Sequence, residues 1–392
     1  MFDSAPQALR QFASSEKTIR EAGSVEGAVK QVFAEVGCHI GGDGPRDITV
    51  HDDRFYQRIL AEGSLGLGEA YQERWWDANQ LDEFLTQMVQ HDLASRARQS
   101  PTMIKHAVTA KLTNMQTKSR ASEDVSMHYN TGNDLFERML DKRMIYTCGY
   151  WRHAEDLDSA QVAKLDLICR KLHLEPGMTL LDIGCGWGGF AQYAAEQYGA
   201  KVVGISLASD QVEMARKTNE GLDVEIRLQD YRDTRGTFDR VVSIGMFEHV
   251  GHKNYKEFFD VCENLLDPDG VMLHHTIGRL ETKAMADGWF DKYIFPGGVL
   301  PSMAQMMRAS EPNWVLEDFH NFGLDYDRTL MAWYSNLMAA WPDLPGYDDH
   351  FQRTWEYYLL AAAAGFRGRT NHLWQMVFRR ARRPAPRYEP VR

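Results

Sequence analysis

Between residues 180 and 277 short apolar runs alternate with longer amphipathic stretches. Leu180-Leu181 lead into Asp182, and Lys201–Ile205, Val224–Leu228, Phe238–Ile244 and Gly270–Ile277 each have strand length and strand character. The run from Phe190 to Tyr198 has helical spacing. Trp314–Phe319 and Leu373–Phe378 are plausible closing strands, and the Trp-, Tyr- and Ala-rich stretch from Leu330 to Phe366 reads as helices. Strands alternating with helices at this spacing predict an α/β fold: a doubly wound, mostly parallel seven-stranded sheet. Residues 1–90 predict a smaller, mainly helical region with Ile48–Val50 as a short strand. Its aromatic segment ends in Trp75-Trp76; paired tryptophans suit a core, and equally an apolar–polar boundary.

The first strand runs into Gly184-Cys185-Gly186-Trp187-Gly188 and then a helix. Glycines let the backbone approach a ligand, and a helix N-terminus offers unpaired N–H groups to an anionic group. Packing alone also selects such glycines. The strands that follow favour a nucleoside-type cofactor site, with Asp182, Gly184, Gly186 and Gly188 as cofactor-binding candidates. In open α/β sheets ligands bind at the carboxyl ends of the strands. Glu248, just after the fourth strand, and His275, at the end of the fifth, therefore project toward the same crevice. Each alone reads as a surface carboxylate or a satisfied core histidine; together at one sheet edge they read as a site.

Composition narrows the setting. The 392 residues suffice for two domains, and 44% hydrophobic with 25% charged residues is ordinary for a folded chain. No apolar run approaches the ~20 residues of a membrane span. The opening Met-Phe-Asp-Ser-Ala-Pro-Gln lacks the basic-plus-apolar pattern expected of a signal peptide. Five cysteines without paired metal spacing suit a reducing cytoplasm and predict no metal site. A net charge of −11 argues against nucleic acid as a partner. Locally the balance reverses: between Asp92 and Glu123 stand Arg96, Arg98, Lys105, Lys111, Lys118 and Arg120 with no acid among them. Such a stretch is a solvated linker or a contact for anionic lipid. The expected organisation is an N-terminal domain over 1–93, a basic linker over 94–125 and a cofactor-binding domain over 126–392.

The segments GSLGLGEAYQERWWD, HYNTGNDLF, YTCGYW, LLDIGCGWGG, LQDYRD, SIGMFEHVG, HHTIG, DKYIFPGG and NFGLDYDRTLMAWY occur in that order. With them the chain closely resembles the bacterial cyclopropane-fatty-acyl-phospholipid synthases, S-adenosylmethionine-dependent enzymes. The resemblance implies a Rossmann-like methyltransferase domain, and transfer of a methylene group to the cis double bond of an acyl chain within a membrane phospholipid. The π bond takes the sulfonium methyl, a carbocation forms, and loss of a proton from the new methyl closes the ring. Aromatic faces stabilise such a cation, and exclusion of water protects it. The family's base is a bound bicarbonate. By motif match its holders are Cys148, Glu248, His275, the Ile277 backbone and Tyr326, with Tyr129 lining the pocket of the reacting carbon. Glu248 would relay the proton onward, and Cys148 would be a weak hydrogen-bond partner rather than a nucleophile.

The same match assigns Tyr146 and Thr147 to the methionine end of the cofactor, Ser206 and Gln211 to the ribose, and Gln229, Asp230 and Tyr231 to the adenine. Ser206 stands where ordinary dinucleotide sites carry an acid. Trp333 and Tyr334 are weaker candidates that packing explains as well. The resemblance also implies a homodimer in the cytoplasm, peripherally associated with the inner face of the membrane, and assigns the 1–93 domain to lipid docking. Two rivals remain: a methyltransferase leaving a methyl or methylene branch on the acyl chain, and a lipid-binding protein with a degenerate cofactor site.

Overall fold

A computed structural model describes residues 24–92, 132–283 and 286–392. Tyr129 and the basic stretch from Arg96 to Arg120 lie outside them. The chain forms two compact units.

The larger unit contains the sheet. Its strands are β3 (Thr179–Ile183), β4 (Lys201–Ser206), β5 (Val224–Leu228), β6 (Phe238–Ile244), β7 (Leu266–Arg279), β8 (Trp314–Asn321) and β9 (Asn371–Arg380). Their order is β5-β4-β3-β6-β7-β9-β8; β3 to β7 are parallel, and β9 runs antiparallel to both neighbours. The seven-stranded, mostly parallel sheet of the sequence reading is therefore present. Sequence order reverses between β3 and β6, which marks the ligand crevice of a doubly wound sheet. Side chains alternate between faces. Leu180, Val242 and Leu273 join one core with Ile168, Phe190 and Val212. Leu181, Val241 and Met272 join the other with Phe258, Phe259 and Met306. A strand buried on both faces must be apolar almost throughout, which is why these runs are continuous.

The helices, in chain order, are α1 (Val25–Glu35), α2 (Arg54–Glu62), α3 (Ser64–Gln72), α4 (Leu81–Gln90), α5 (Asn133–Met139), α6 (Leu157–Lys171), α7 (Gly189–Tyr198), α8 (Ser209–Thr218), α9 (Tyr255–Leu265), α10 (Gly288–Tyr293), α11 (Met303–Ser310), α12 (Leu324–Ala340) and α13 (Asp349–Arg367). Among the described residues none is long and apolar enough to cross a membrane.

The smaller unit holds residues 24–92, a two-stranded antiparallel ribbon of β1 (Ile48–Val50) and β2 (Trp76–Ala78), and two segments from later in the chain, Asp287–Ile294 and Pro345–Thr370. The expected organisation placed α10 and α13 in the 126–392 region; here both belong to the unit that holds the N-terminal helices. The cause is burial of aromatic surface. Trp76, fully buried, meets Phe84 and Tyr71 at ring distances of 5.2 Å. Arg353 of α13 donates to the carbonyls of Tyr71 (2.6 Å) and Trp76 (3.2 Å) and lies 3.7 Å over the Tyr71 ring. Trp75 is half-buried, with the guanidiniums of Arg54 and Arg58 at 4.4 and 4.8 Å from its ring, so the paired tryptophans divide between core and boundary.

Gly68 of α3 faces Trp289 of α10. A Cβ there would lie 2.3 Å from the indole Cδ1. Trp289 is fully buried and its Nε1–H donates to Gln72 Oε1 at 3.1 Å, so the ring has little freedom to yield. Gly68→Ala is expected to destabilise this unit by about 1–3 kcal/mol, the usual cost of overpacking. Urea unfolding followed by tryptophan fluorescence measures it; an unchanged midpoint would mean that the indole can move aside.

Candidate active site

The carboxyl ends of β3, β4 and β6 surround one cleft, closed from the side by residues 144–147. Tyr146, Thr147, Asp182, Gly184, Gly186, Ser206, Gln211, Gln229, Asp230 and Tyr231, all expected from the sequence, line it. The turn after β3 is anchored by the N–H groups of Gly184 and Cys185, which both donate to the Ile205 carbonyl at 2.9 and 3.0 Å. Gly186 has φ +54°, and a Cβ on it would meet nothing within 4 Å, so its Cα faces open space beside the cleft. Gly188 is the exception. It does not line the cleft; a Cβ there would meet Asn219 Nδ2 at 2.6 Å and Ala215 Cβ at 3.0 Å. Its left-handed φ of 82° at the start of α7 and its packing against α8 account for that glycine.

The polar groups are partly pre-arranged. The Ser206 hydroxyl lies 3.3 Å from Gln211 Oε1 and accepts the Ala208 N–H at 3.2 Å. The Asp230 carboxylate takes a bidentate pair of bonds from Arg232, at 2.8 and 2.6 Å. Both carboxylate oxygens of Asp182 are buried with no hydrogen-bond partner among the described residues. Burial pushes this acid up to about 7. A buried acid with open acceptor positions at a cofactor cleft fits the ammonium of an amino-acid moiety.

Beside the cleft lies a second group of polar side chains. Strand β6 stops at the Ile244–His275 pair, whereas β7 continues to Arg279. Past that point the β7 backbone loses its neighbour, and the Glu248 carboxylate takes the neighbour's place. Its Oε1 accepts the Ile277 N–H at 2.7 Å. Oε2 is buried and without a partner among the described residues. Desolvation raises this acid to about 7 against the bond from Ile277. The Ile277 N–H is thus engaged by Glu248, where the sequence reading expected it to face a bound ion.

His275 is buried on the opposite face of β7 from His274. Its Nδ1 lies 3.2 Å from Gln375 Nε2 of β9, and its Nε2 has no partner among the described residues. Burial first, then the nearby Lys164, holds it well below the ordinary histidine range, so it is neutral. His274 packs among Phe247, Phe258 and Phe259, as a core histidine. Cys148 is fully buried; burial raises its thiol well above the usual range, and the S–H donates to the Gly149 carbonyl at 3.1 Å. A thiol so held is no nucleophile. Tyr326 is buried on α12 with its ring edge-on to Trp333 at 6.0 Å, and Trp333 meets Tyr146 at 5.1 Å, so this pair belongs to the wall behind the cleft. Tyr334 is half-buried.

Lys164 of α6 escaped the sequence reading. It lines the cleft, is fully buried, and donates from Nζ to Thr147 Oγ1 at 2.9 Å. The signal was present: Lys164 falls four residues after Ala160 and four before Ile168, inside the apolar stripe of α6.

Gly186→Val is expected to abolish S-adenosylmethionine binding, measured by calorimetry. The branched side chain would project from a left-handed position, at a backbone cost of roughly 1–2 kcal/mol, into space the ligand needs. Lost turnover with unchanged cofactor affinity would put the turn elsewhere.

The profile of the family described as mycolic acid cyclopropane synthetase matches residues 116–376. Over 351 residues the chain is 49% identical to cyclopropane-fatty-acyl-phospholipid synthase of Escherichia coli strain K12, covering 89% of this chain and 92% of the relative. Among solved structures it is similar to the cyclopropane synthase MmaA2 of Mycobacterium tuberculosis (TM-score 0.63, 31% identity, 68% of this chain and 99% of that one). It is also similar to mycolic acid cyclopropane synthase CmaA1 complexed with SAH and CTAB (TM-score 0.62, 32% identity, 66% of this chain and 97% of that one). With two thirds of its length matched by the family profile and nearly all of it by a synthase at this identity, the chain belongs to the mycolic acid cyclopropane synthetase family.

Proposed function

We infer that the protein is an S-adenosylmethionine-dependent cyclopropane-fatty-acyl-phospholipid synthase, which adds a methylene group across the cis double bond of an unsaturated acyl chain in a membrane phospholipid. The observation that carries this reading is 49% identity over 89% of the chain to an enzyme of that name. When bound, S-adenosylmethionine supplies an electrophilic methyl group. The open acceptor positions of Asp182 suit its ammonium, Ser206 and Gln211 its ribose, and Gln229, Asp230 and Tyr231 its adenine.

Ring closure needs a proton removed where water is excluded. Glu248 Oε2 is such an acceptor: buried, unpartnered among the described residues, and held near neutrality. The Ile277 N–H fixes the carboxylate by binding its other oxygen. The chemistry of the donor set also fits the family's bicarbonate. Glu248 Oε2 can accept its O–H, the Tyr326 hydroxyl can donate, and His275 can donate from Nε2 while Nδ1 accepts from Gln375. Incubation with S-adenosylmethionine and unsaturated phospholipid vesicles, followed by mass analysis of the acyl chains, tests the activity. A saturated methyl branch, two hydrogens heavier than the ring, would favour the rival branch-forming reaction.

Glu248→Gln should keep cofactor binding and lose roughly 100-fold or more in turnover, since the amide cannot accept the proton. In the parent, turnover should fall as pH drops through about 7, where Glu248 becomes protonated. Folding changes in the opposite sense. The folded pKa lies above the unfolded value, so this group's stabilising contribution is complete below the ordinary 4.5 and lost as pH rises through about 7. Near-parental rates in folded Glu248→Gln protein would remove Glu248 from the chemistry.

The substrate also places the enzyme at a membrane surface, and the resemblance assigns it a homodimeric state, which light scattering tests. We assign docking to the N-terminal region and the basic stretch 96–120. Attraction of this kind is screened over a Debye length of ~8 Å near physiological salt. Replacing Arg96, Arg98, Lys105 and Lys111 by Gln should weaken sedimentation with anionic vesicles and leave cofactor affinity unchanged. Equal sedimentation at every salt concentration would make the stretch a linker only.

A further inference from the structure

Helix α6 buries two lysines completely, and they are treated differently. Lys171 has an anion: its Nζ lies 3.5 Å from Asp318 Oδ2, itself bound by Arg392 at 2.6 Å. Lys164 has none. Among the described residues no carboxylate stands at ion-pair distance from its Nζ, and its one hydrogen-bond acceptor is the neutral hydroxyl of Thr147. The nearest acids do not fill the gap. Asp141 and Asp182 act on Lys164 only through space: Asp141 is occupied by the N–H groups of Ile145 and Arg143, at 2.8 and 3.1 Å, and neither carboxylate oxygen of Asp182 has a hydrogen-bond partner among the described residues. A buried cation with no counter-ion in contact is costly to keep. Such a group persists where an anion meets it in the working state. Lys164 also lines the cleft, on the same side as Tyr146 and Thr147.

We propose that Lys164 is the binding residue for the α-carboxylate of S-adenosylmethionine, donating an N–H from Nζ while Thr147 Oγ1 steadies the ammonium. Lys164 and Asp182 then present opposite charges to the two charged groups of one amino-acid moiety, and the cleft selects the zwitterion over analogues lacking either charge. Gln161, one turn earlier on α6, donates to the Thr147 carbonyl at 2.7 Å, so the same helix face holds the segment that Lys164 uses. This inference rests on the cleft holding S-adenosylmethionine, and the experiment separates the two.

Calorimetry on the full chain compares S-adenosylmethionine with its decarboxylated form, which keeps the sulfonium, the amine and the nucleoside. The parent should prefer the carboxylated ligand by roughly 10- to 100-fold, the range of a charge-assisted hydrogen bond to a buried carboxylate. In Lys164→Met and Lys164→Gln that preference should collapse to within a few-fold. Binding of 5′-methylthioadenosine, which lacks the amino-acid end, should stay unchanged in both and so report an intact fold. A parent that binds both sulfonium ligands equally overturns the proposal without any variant. A folded variant that keeps the preference overturns it too. A parent that binds none of the three ligands refutes the cofactor reading instead.

Discussion

Exclusion of water from the carboxyl edge of the sheet is the constraint on which the rest of the site depends. Asp182, Glu248, Lys164 and His275 are all buried there, and in each the largest influence on proton affinity is loss of solvent. In water these groups would be two carboxylates, an ammonium and a half-protonated imidazole. Here the acids rise to about 7, the lysine falls to about 8, and the imidazole stays neutral. The same dryness that would quench nothing passing through also leaves polar atoms without partners, which costs stability until ligands meet them.

Backbone geometry decides which polar atoms are spared. Because β6 ends before β7, one β7 N–H has no strand opposite it, and Glu248 is held by that N–H through a single oxygen. A carboxylate bound on one side and open on the other is oriented without being neutralised. His275 is treated alike, with Nδ1 engaged across the sheet by Gln375 and Nε2 left open. Both positioning contacts come from the sheet, from Ile277 of β7 and Gln375 of β9.

Much of this was legible in the chain. The apolar runs located all seven strands of the large sheet, since burial on both faces leaves a continuous signal. The first cofactor strand, its glycine turn and the ends of the next strands followed from the same pattern. What stayed hidden was non-local. The extra length of β7, and with it the engagement of the Ile277 N–H, depends on where a neighbouring strand stops. Gly188 looked like its neighbours in the turn, yet it answers to Asn219 and Ala215 of a helix thirty residues on. Lys164 was passed over because a lysine in a helix is usually a surface residue. The aromatic segments 287–294 and 345–370 flank the Tyr326 motif in sequence and yet pack with the smaller unit, a choice that no local periodicity records.

That interleaving has a consequence for synthesis. The smaller unit draws on residues as late as Thr370, so its aromatic core cannot close when its first helices leave the ribosome. At about 5–20 residues per second, those helices must wait tens of seconds for α10 and α13. The N-terminal aromatic core is thus among the last parts of the fold to be completed, and until then the surfaces that Arg353 and Trp289 cover stay open to water.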